Sequence, residues 1–184
     1  LKRAAREAAK EGISCFFGTE FEFYLFRTDG DGMPTLIPYD DAGYFDIAPD
    51  DKGENIRREI SLTLLDMGIQ PETSHHEEID CRFSDALSAA DNAITFKNVV
   101  KTISQAAGAH ADFSPKPLEG KSGNGMHINI SIKDRNGRDV QDMFMAGIME
   151  HIREITMFLN PKKESYLRLG EKKAPKYITW SPEN

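Results

Sequence analysis

The sequence predicts an α+β domain in which helices pack on a largely antiparallel sheet. Three segments repeat apolar residues at steps of three and four, as amphipathic helices do. Others alternate apolar and polar residues with period two, as half-buried strands do. The two kinds follow one another without the regular strand–helix–strand rhythm of a parallel sheet.

In chain order, residues 1–11 are predicted to be helical, with Gly12 as the stop. Residues 13–26 read as one long strand. Thr28-Asp29-Gly30-Asp31-Gly32 is a turn, after which a hairpin can follow. Residues 33–53 hold three prolines and several aspartates and are expected to form a long loop, a kind of segment that is often functional. Residues 55–67 carry Ile56, Ile60, Leu64 and Met67 on one helical face, and Gly68 ends the helix. Residues 78–83 make a short strand. Asp85 opens a helix whose stripe is Ala86, Ala89, Ala93, Phe96, Val100, Ile103 and Ala107, closed by Gly108. Strands are expected over 109–113 and 126–133, with Asn136-Gly137 as a hairpin turn. Met145, Ile148, Ile152, Ile155 and Leu159 form a last helical stripe, stopped by Asn160-Pro161, and 174–180 reads as a final strand.

The 184 residues suffice for one domain with a sizeable core. With 39% hydrophobic and 29% charged residues, composition is that of an ordinary globular protein. A formal net charge of -7 argues against a nucleic-acid surface, which needs a basic face. An acidic chain can still take a polyphosphate if metal ions bridge the two. No run approaches the ~20 apolar residues of a membrane span, and residues 1–12 do not resemble a signal peptide. Neither nucleic acid nor membrane is therefore expected as a partner. Cys15 and Cys81 lie in apolar segments and suit reduced thiols of a cytoplasmic protein. The abrupt first and last residues suggest a piece of a longer protein.

Three segments bear chemistry. In Gly18-Thr19-Glu20-Phe21-Glu22-Phe23-Tyr24, alternation puts Glu20, Glu22 and Tyr24 on one face and Thr19, Phe21, Phe23 and Leu25 in the core. Two carboxylates roughly 7 Å apart repel unless a cation lies between them. Two solvated glutamates on an exposed strand would give the same pattern. In Gly123-Asn124-Gly125-Met126-His127-Ile128-Asn129-Ile130-Ser131, His127, Asn129 and Ser131 share a face, and Met126, Ile128, Ile130 and Ile132 are expected to face the core. Its glycines permit close backbone approach to a phosphate or substrate. A P-loop would need a glycine where Pro115 stands, and the glycine spacing does not fit a dinucleotide fingerprint. A hydrogen-bonded strand histidine explains His127 as readily as a ligand does. Ser74-His75-His76-Glu77-Glu78-Ile79-Asp80 matches no zinc spacing. Its many carboxylates suit magnesium or manganese, and a hydrated charge cluster is the plainer alternative.

In order, Gly-x-Glu-x-Glu-Phe at 18–23, Ser-His-His-Glu at 74–77, Asp-Ala-Leu-x-x-Ala-Asp-Asn at 85–92, Pro-Lys-Pro at 115–117, Gly-x-Gly-Met-His at 123–127 and Ser-Tyr-x-Arg-Leu at 165–169 resemble glutamine synthetase. The resemblance covers nearly the whole chain and implies part of that family's half-barrel catalytic domain over 1–184, without its small N-terminal domain. It implies a ligase that joins ammonia to glutamate with ATP and two or more Mg²⁺ or Mn²⁺ ions, in a double-ring homo-oligomer. Glu22, Glu77 and Glu78 would hold the metal nearer glutamate, and Glu20 and His127 the metal nearer the ATP phosphates. Gly123 and Arg168 would meet glutamate, Phe83 and Ser131 the nucleotide, and Tyr44 with Glu77 the ammonium pocket. Another amine, such as a polyamine, as acceptor, or a non-catalytic family member, are the alternative readings.

The sequence departs from the family pattern in two ways. Asn129 stands where a histidine is common, and Ser122 where an asparagine is. Glu77 abuts Glu78, where the family carries several more residues. A disordered loop is expected there, with a similar omission near 140–143. The 184-residue piece alone is expected to be inactive.

Overall fold

The computed structural model describes residues 1–170 and 173–180. Helix α1 (Lys2–Lys10) leads into β1 (Ser14–Glu22) and β2 (Tyr24–Thr28). Then come β3 (Pro34–Pro38), α2 (Glu54–Asp66), β4 (Pro71–His75), β5 (Glu78–Asp85) and α3 (Ala86–Ala106). β6 (Ala109–Asp112), β7 (Met126–Lys133), α4 (Gln141–Leu159) and a 3-10 turn (Lys163–Leu167) complete the described chain. All strand pairs are antiparallel, in two sheets ordered β4-β5-β1-β7 and β3-β2-β6. The predicted α+β architecture is the one observed.

The long strand over 13–26 is in fact two. At Phe23 the backbone leaves the first sheet: its N–H donates to the Glu77 carbonyl (2.9 Å), and from Tyr24 onward the chain pairs in the second sheet. The Phe23 side chain is fully buried at this handover. The hairpin that could follow the turn at 28–32 is present as β2–β3, although 33–53 was expected to be loop, and β4 was not anticipated. β3 lies inside the segment expected to be loop, where Pro38 stands opposite Phe26 and Pro34 opposite Thr28 of β2; prolines are tolerated because β3 is an edge strand. β4 is polar throughout and has no apolar alternation to betray it; only its pairing with β5 makes it a strand.

Three expectations are corrected. Residues 173–180 form no strand: Gly170 N–H donates to the Pro175 carbonyl (2.9 Å), turning the chain, and Tyr177 and Ile178 stay exposed. Met126 and Ile128 are exposed rather than buried, because β7 is the sheet's edge and its first half lies outside the helical cover; Ile132, further along, is buried. In α4 the predicted stripe is only partly covered, and Leu159 is exposed.

The core lies between the β5–β1 face and helices α2 and α3. Phe21 stacks on Phe96 with ring centroids 4.2 Å apart, and Ile60, Leu64, Ile79 and Val100 are inaccessible to water around them. Each such side chain contributes about 1.5–3 kcal/mol by leaving water. Asp85 ends β5 and caps α3 at once, its side chain accepting the Leu87 and Ser88 N–H groups, so no loop separates strand from helix. With one face of β1 fixed against the helices, alternation commits its glutamates to the other face.

Candidate active site

β1 lies between β5 and β7, and its register decides what meets. Glu20 stands opposite Asp80 on β5 and His127 on β7, and Glu22 stands opposite Glu78. Residues directly opposite share a face, so all five polar side chains gather on the side away from α2 and α3. Glu20 Oε2 lies 2.8 Å from His127 Nδ1, and Asn129 donates to Glu20 Oε1 at 2.5 Å. One ligand atom each from Glu20, Glu78 and His127 lies within 4.8 Å of the other two. Two carboxylates and an imidazole so placed fit a divalent cation.

The electrostatics agree with that fit. Burial, then the neighbouring acids Asp80, Glu22 and Glu20, push the Glu78 carboxyl up against its bond from Tyr44. Burial and then the Glu20 charge do the same to Asp80 despite a hydrogen bond from Thr73. Burial also acts on Glu20, but the bonds to Asn129 and His127 outweigh it and hold Glu20 below the usual range. Negative charge here exceeds what the side chains themselves neutralise, and a cation would relieve it.

Glu22 has different company. Its Oε2 accepts the Gly125 N–H. A methyl group on Gly125 would sit 2.7 Å from Arg168 Nη2 and 3.1 Å from Glu22 Oε2, and one on Gly123 would sit 2.3 Å from the Pro115 carbonyl oxygen. Glycine is needed at both places to let Arg168 lie along the loop. Asn124, buried, fastens this loop by donating to the Asp112 and Ser114 carbonyls, both at 2.9 Å. The Tyr24 hydroxyl holds the Ser122 carbonyl (3.0 Å).

Glu77 and Glu78 are consecutive in a continuous chain, which corrects the expected disordered loop. His75 pairs with Glu78 across the ladder, leaving His76 and Glu77 as a two-residue hairpin turn. Glu77, the second residue of the turn, has a φ of 64°, the left-handed value found at the second central position of a type II turn. The segment near 140–143 is continuous too, with Val140 capping α4 directly. The Glu77 carboxylate borders a cavity of about 210 Å³ lined also by Glu22, Tyr24, Asp40, Tyr44 and Glu78. Burial, reinforced by the charges of Asp40 and Glu22, pushes its pKa up to about 7, with Lys173 and Arg57 pulling the other way. Across the cavity, the Tyr44 hydroxyl donates to Glu78 Oε1 (2.6 Å) and its ring stacks on His75 at 4.4 Å. Burial and then the bond to Glu78 raise the Tyr44 pKa.

The structure thus brings Glu20, Glu78 and His127 together, and places Glu22, Glu77, Tyr44 and Gly123 around one adjoining cavity with Arg168 against its glycine loop. Glu22 and Glu77 fall outside the ligand-atom clusters found within 4.8 Å among the described residues. Phe83 lies half-exposed over Gly18, and Ser131 pairs with Phe16, two pleats along the sheet from His127. Sequence reasoning missed Asp80, Asn124 and Asp40. Period two counted from Glu78 would have found Asp80; Asn124 and Asp40 act through backbone contacts that no spacing announces.

The description "Glutamine synthetase, catalytic domain" matches residues 1–184 of this chain. The chain belongs to the glutamine synthetase family. It is 44% identical to the glutamine synthetase of Clostridium saccharobutylicum, with all of this chain and 46% of that protein aligned. It is 45% identical to that of Methanosarcina mazei, over all of this chain and 45% of that protein. The chain spans about half the length of the curated relatives it matches. The two alignments run over 203 and 204 positions against 184 residues here, so these glutamine synthetases carry internal residues that this chain lacks. Among solved structures it resembles Plasmodium falciparum glutamine synthetase (TM-score 0.78, 27% identity, 91% of this chain and 42% of that one). It also resembles a structure described as apo GmaS without ligand (TM-score 0.78, 26% identity, 92% and 44%).

Proposed function

We propose that this chain builds the cation-bearing part of an active site that ligates ammonia to the γ-carboxylate of glutamate at the expense of ATP. The observation that carries the reading is the convergence of Glu20, Glu78 and His127 on one sheet face beside the glycine loop and Arg168. Glu20, Glu78 and His127 would hold one divalent ion, with Glu22 and Glu77 lining the cavity where a second would sit. Mg²⁺ or Mn²⁺ there would offset the repulsion between a carboxylate and a triphosphate and the charge that develops as they react.

In the proposed sequence a γ-carboxylate oxygen of glutamate bonds to the γ-phosphorus of ATP as the bond to ADP breaks. Ammonia then bonds to the acyl carbon and phosphate leaves. The chain's own groups fit these needs. Arg168, a planar guanidinium lying along the Gly123–Gly125 backbone, presents a fork suited to a carboxylate. The glycines let that substrate approach the backbone closely. Glu77, facing Tyr44 across the cavity, is placed to accept a proton from the attacking nitrogen. Tyr44 forms the facing wall and fixes Glu78.

The reading is tested in the whole enzyme by measuring phosphate release that requires ATP and glutamate together, with ammonium, methylammonium and a polyamine as acceptors. Release stimulated by ammonium supports it. Release stimulated only by a larger amine moves the assignment to another glutamate–amine ligase, and no release with any acceptor overturns it.

A further inference from the structure

We infer that Asp40 is a positioning residue that clasps the loop carrying Tyr44 to the turn carrying Glu77. The inference rests on the ligase reading above, in which those two side chains face the nitrogen substrate across one cavity. Asp40 sits at the start of a stretch, 40–53, that contains neither helix nor strand. Little apolar burial holds that stretch in place, since Phe45 is 84% exposed and Ile47 73%. Yet Tyr44, in its middle, is placed within 2.6 Å of Glu78.

Asp40 supplies the missing anchorage. Its side chain is 5% exposed. One oxygen, Oδ2, accepts the N–H groups of Lys52 (2.9 Å) and Gly53 (3.1 Å), which close the far end of the loop. The other, Oδ1, accepts the Ala42 N–H (3.1 Å), two residues before Tyr44, and lies 2.7 Å from His76 Nε2. His76 occupies the two-residue turn with Glu77, whose Oε2 lies 4.0 Å from His76 Nδ1, so Asp40 is its closer partner. One carboxylate therefore gathers both ends of the loop and the tip of the β4–β5 hairpin. Arg57, the nearest buried cation, does not compete, because both its terminal nitrogens are bonded to Asp51. Asp40 reaches Glu77 through His76 and Glu78 through the segment carrying Tyr44, and groups that orient cation ligands from outside typically change cation affinity 10–100-fold when lost.

The test uses the whole enzyme and two readouts, amide hydrogen exchange and Mn²⁺ titration followed by electron paramagnetic resonance. The variants are Asp40→Asn, His76→Phe, His76→Gln and the Asp40→Asn/His76→Phe double. His76→Phe is expected to speed exchange at the amides of 42–53 by about tenfold, although it lies in another element, while α3 amides keep their parent rate. Mn²⁺ affinity is expected to fall by about tenfold or more in His76→Phe and in Asp40→Asn, with the double variant no weaker than either single. His76→Gln, which keeps a donor, is expected to restore most of both. A merely structural Asp40 would give effects that multiply in the double variant and no exchange change at 42–53 from His76→Phe; either result overturns the clasp. If the parent enzyme fails to bind Mn²⁺, the ligase reading is what fails, and exchange at 42–53 in His76→Phe still decides the clasp.

Discussion

Replacing Glu77 by glutamine is expected to remove a defined component of the pH dependence of stability between about pH 4.5 and 7 in the absence of cations. In the folded chain, burial and the charges of Asp40 and Glu22 raise the Glu77 pKa to about 7, against 4.5 for a free glutamate. Within that window the folded state holds a proton that the unfolded state has released. Stability is therefore present at low pH and lost as the pH rises toward 7. The full shift would be worth about 3 kcal/mol at about 1.4 kcal/mol per pH unit, and the solvent access of the side chain reduces it to about 2 kcal/mol. Glutamine has nearly the same shape and no charge to lose. At pH 8 the Glu77→Gln chain should be more stable than the parent by that amount, and near pH 4 the two should coincide. Urea denaturation at pH 4, 5, 6, 7 and 8 in the presence of a chelator, followed by circular dichroism, measures the difference directly, because every other titrating group is common to both chains. Parallel stability profiles would refute the reasoning. Saturating Mn²⁺ at pH 8 should reverse the order if Glu77 ligates, since only the parent then gains binding energy from that carboxylate.

Other perturbations address the supports of the site. Asn124→Ala leaves the Asp112 and Ser114 carbonyls without their side-chain donor and should cost about 1–3 kcal/mol in urea denaturation. Asp51→Ala strands the buried Arg57 guanidinium and should cost about 3–5 kcal/mol, seen as a large drop in the thermal midpoint. Gly125→Ala places a methyl group against Arg168 and Glu22 and should weaken Mn²⁺-dependent glutamate binding, measured calorimetrically, far more than it changes the circular dichroism spectrum. Glu20→Gln should abolish the rise in thermal midpoint that Mn²⁺ confers, since it removes a charged ligand and weakens the partner of both His127 and Asn129.

Much of this architecture was legible because it depends on local periodicity. The stripe from Ala86 to Ala107 fixed α3 within a residue or two, and alternation around Phe21 correctly divided β1 into a core face and an acidic face. What escaped depends on strand pairing and on sheet position, which a segment's own residue pattern does not encode. β4 is a strand only because β5 lies beside it, and β3 only because it pairs with β2. The apolar residues at the start of β7 look like core residues by pattern, but pattern cannot say that β7 is an edge strand. The candidate site divides in the same way. Glu20, Glu22 and His127 were found as motif residues, whereas Asp40 could be found only by following its backbone donors across the loop.

The Glu20–Glu22 pair shows how a single strand can prepare two unlike environments. Both carboxylates leave β1 on the same face, one pleat apart, yet they meet different chemistry because β7 stops pairing as a strand between them. The ladder holds from Ser14 opposite Lys133 to Phe21 opposite Met126. At Glu22 the backbone N–H is taken instead by the Gly125 carbonyl (3.1 Å), where β7 has become the glycine loop. Glu20 consequently faces strand side chains, His127 and Asn129, which lower its pKa and aim it at a shared cation position. Glu22 faces a backbone N–H, with Arg168 drawn close because the loop has no side chains to exclude it. A divalent ion near Glu20 and a substrate carboxylate near Arg168 would then lie one strand pleat apart, roughly 7 Å. That separation is fixed by the backbone of β1 rather than by any flexible side chain, and β1 is itself fixed by the burial of Phe21 and Phe23. The offset between the Glu20–His127 cluster and the Glu22–Gly125 contact is thereby tied to the hydrophobic core.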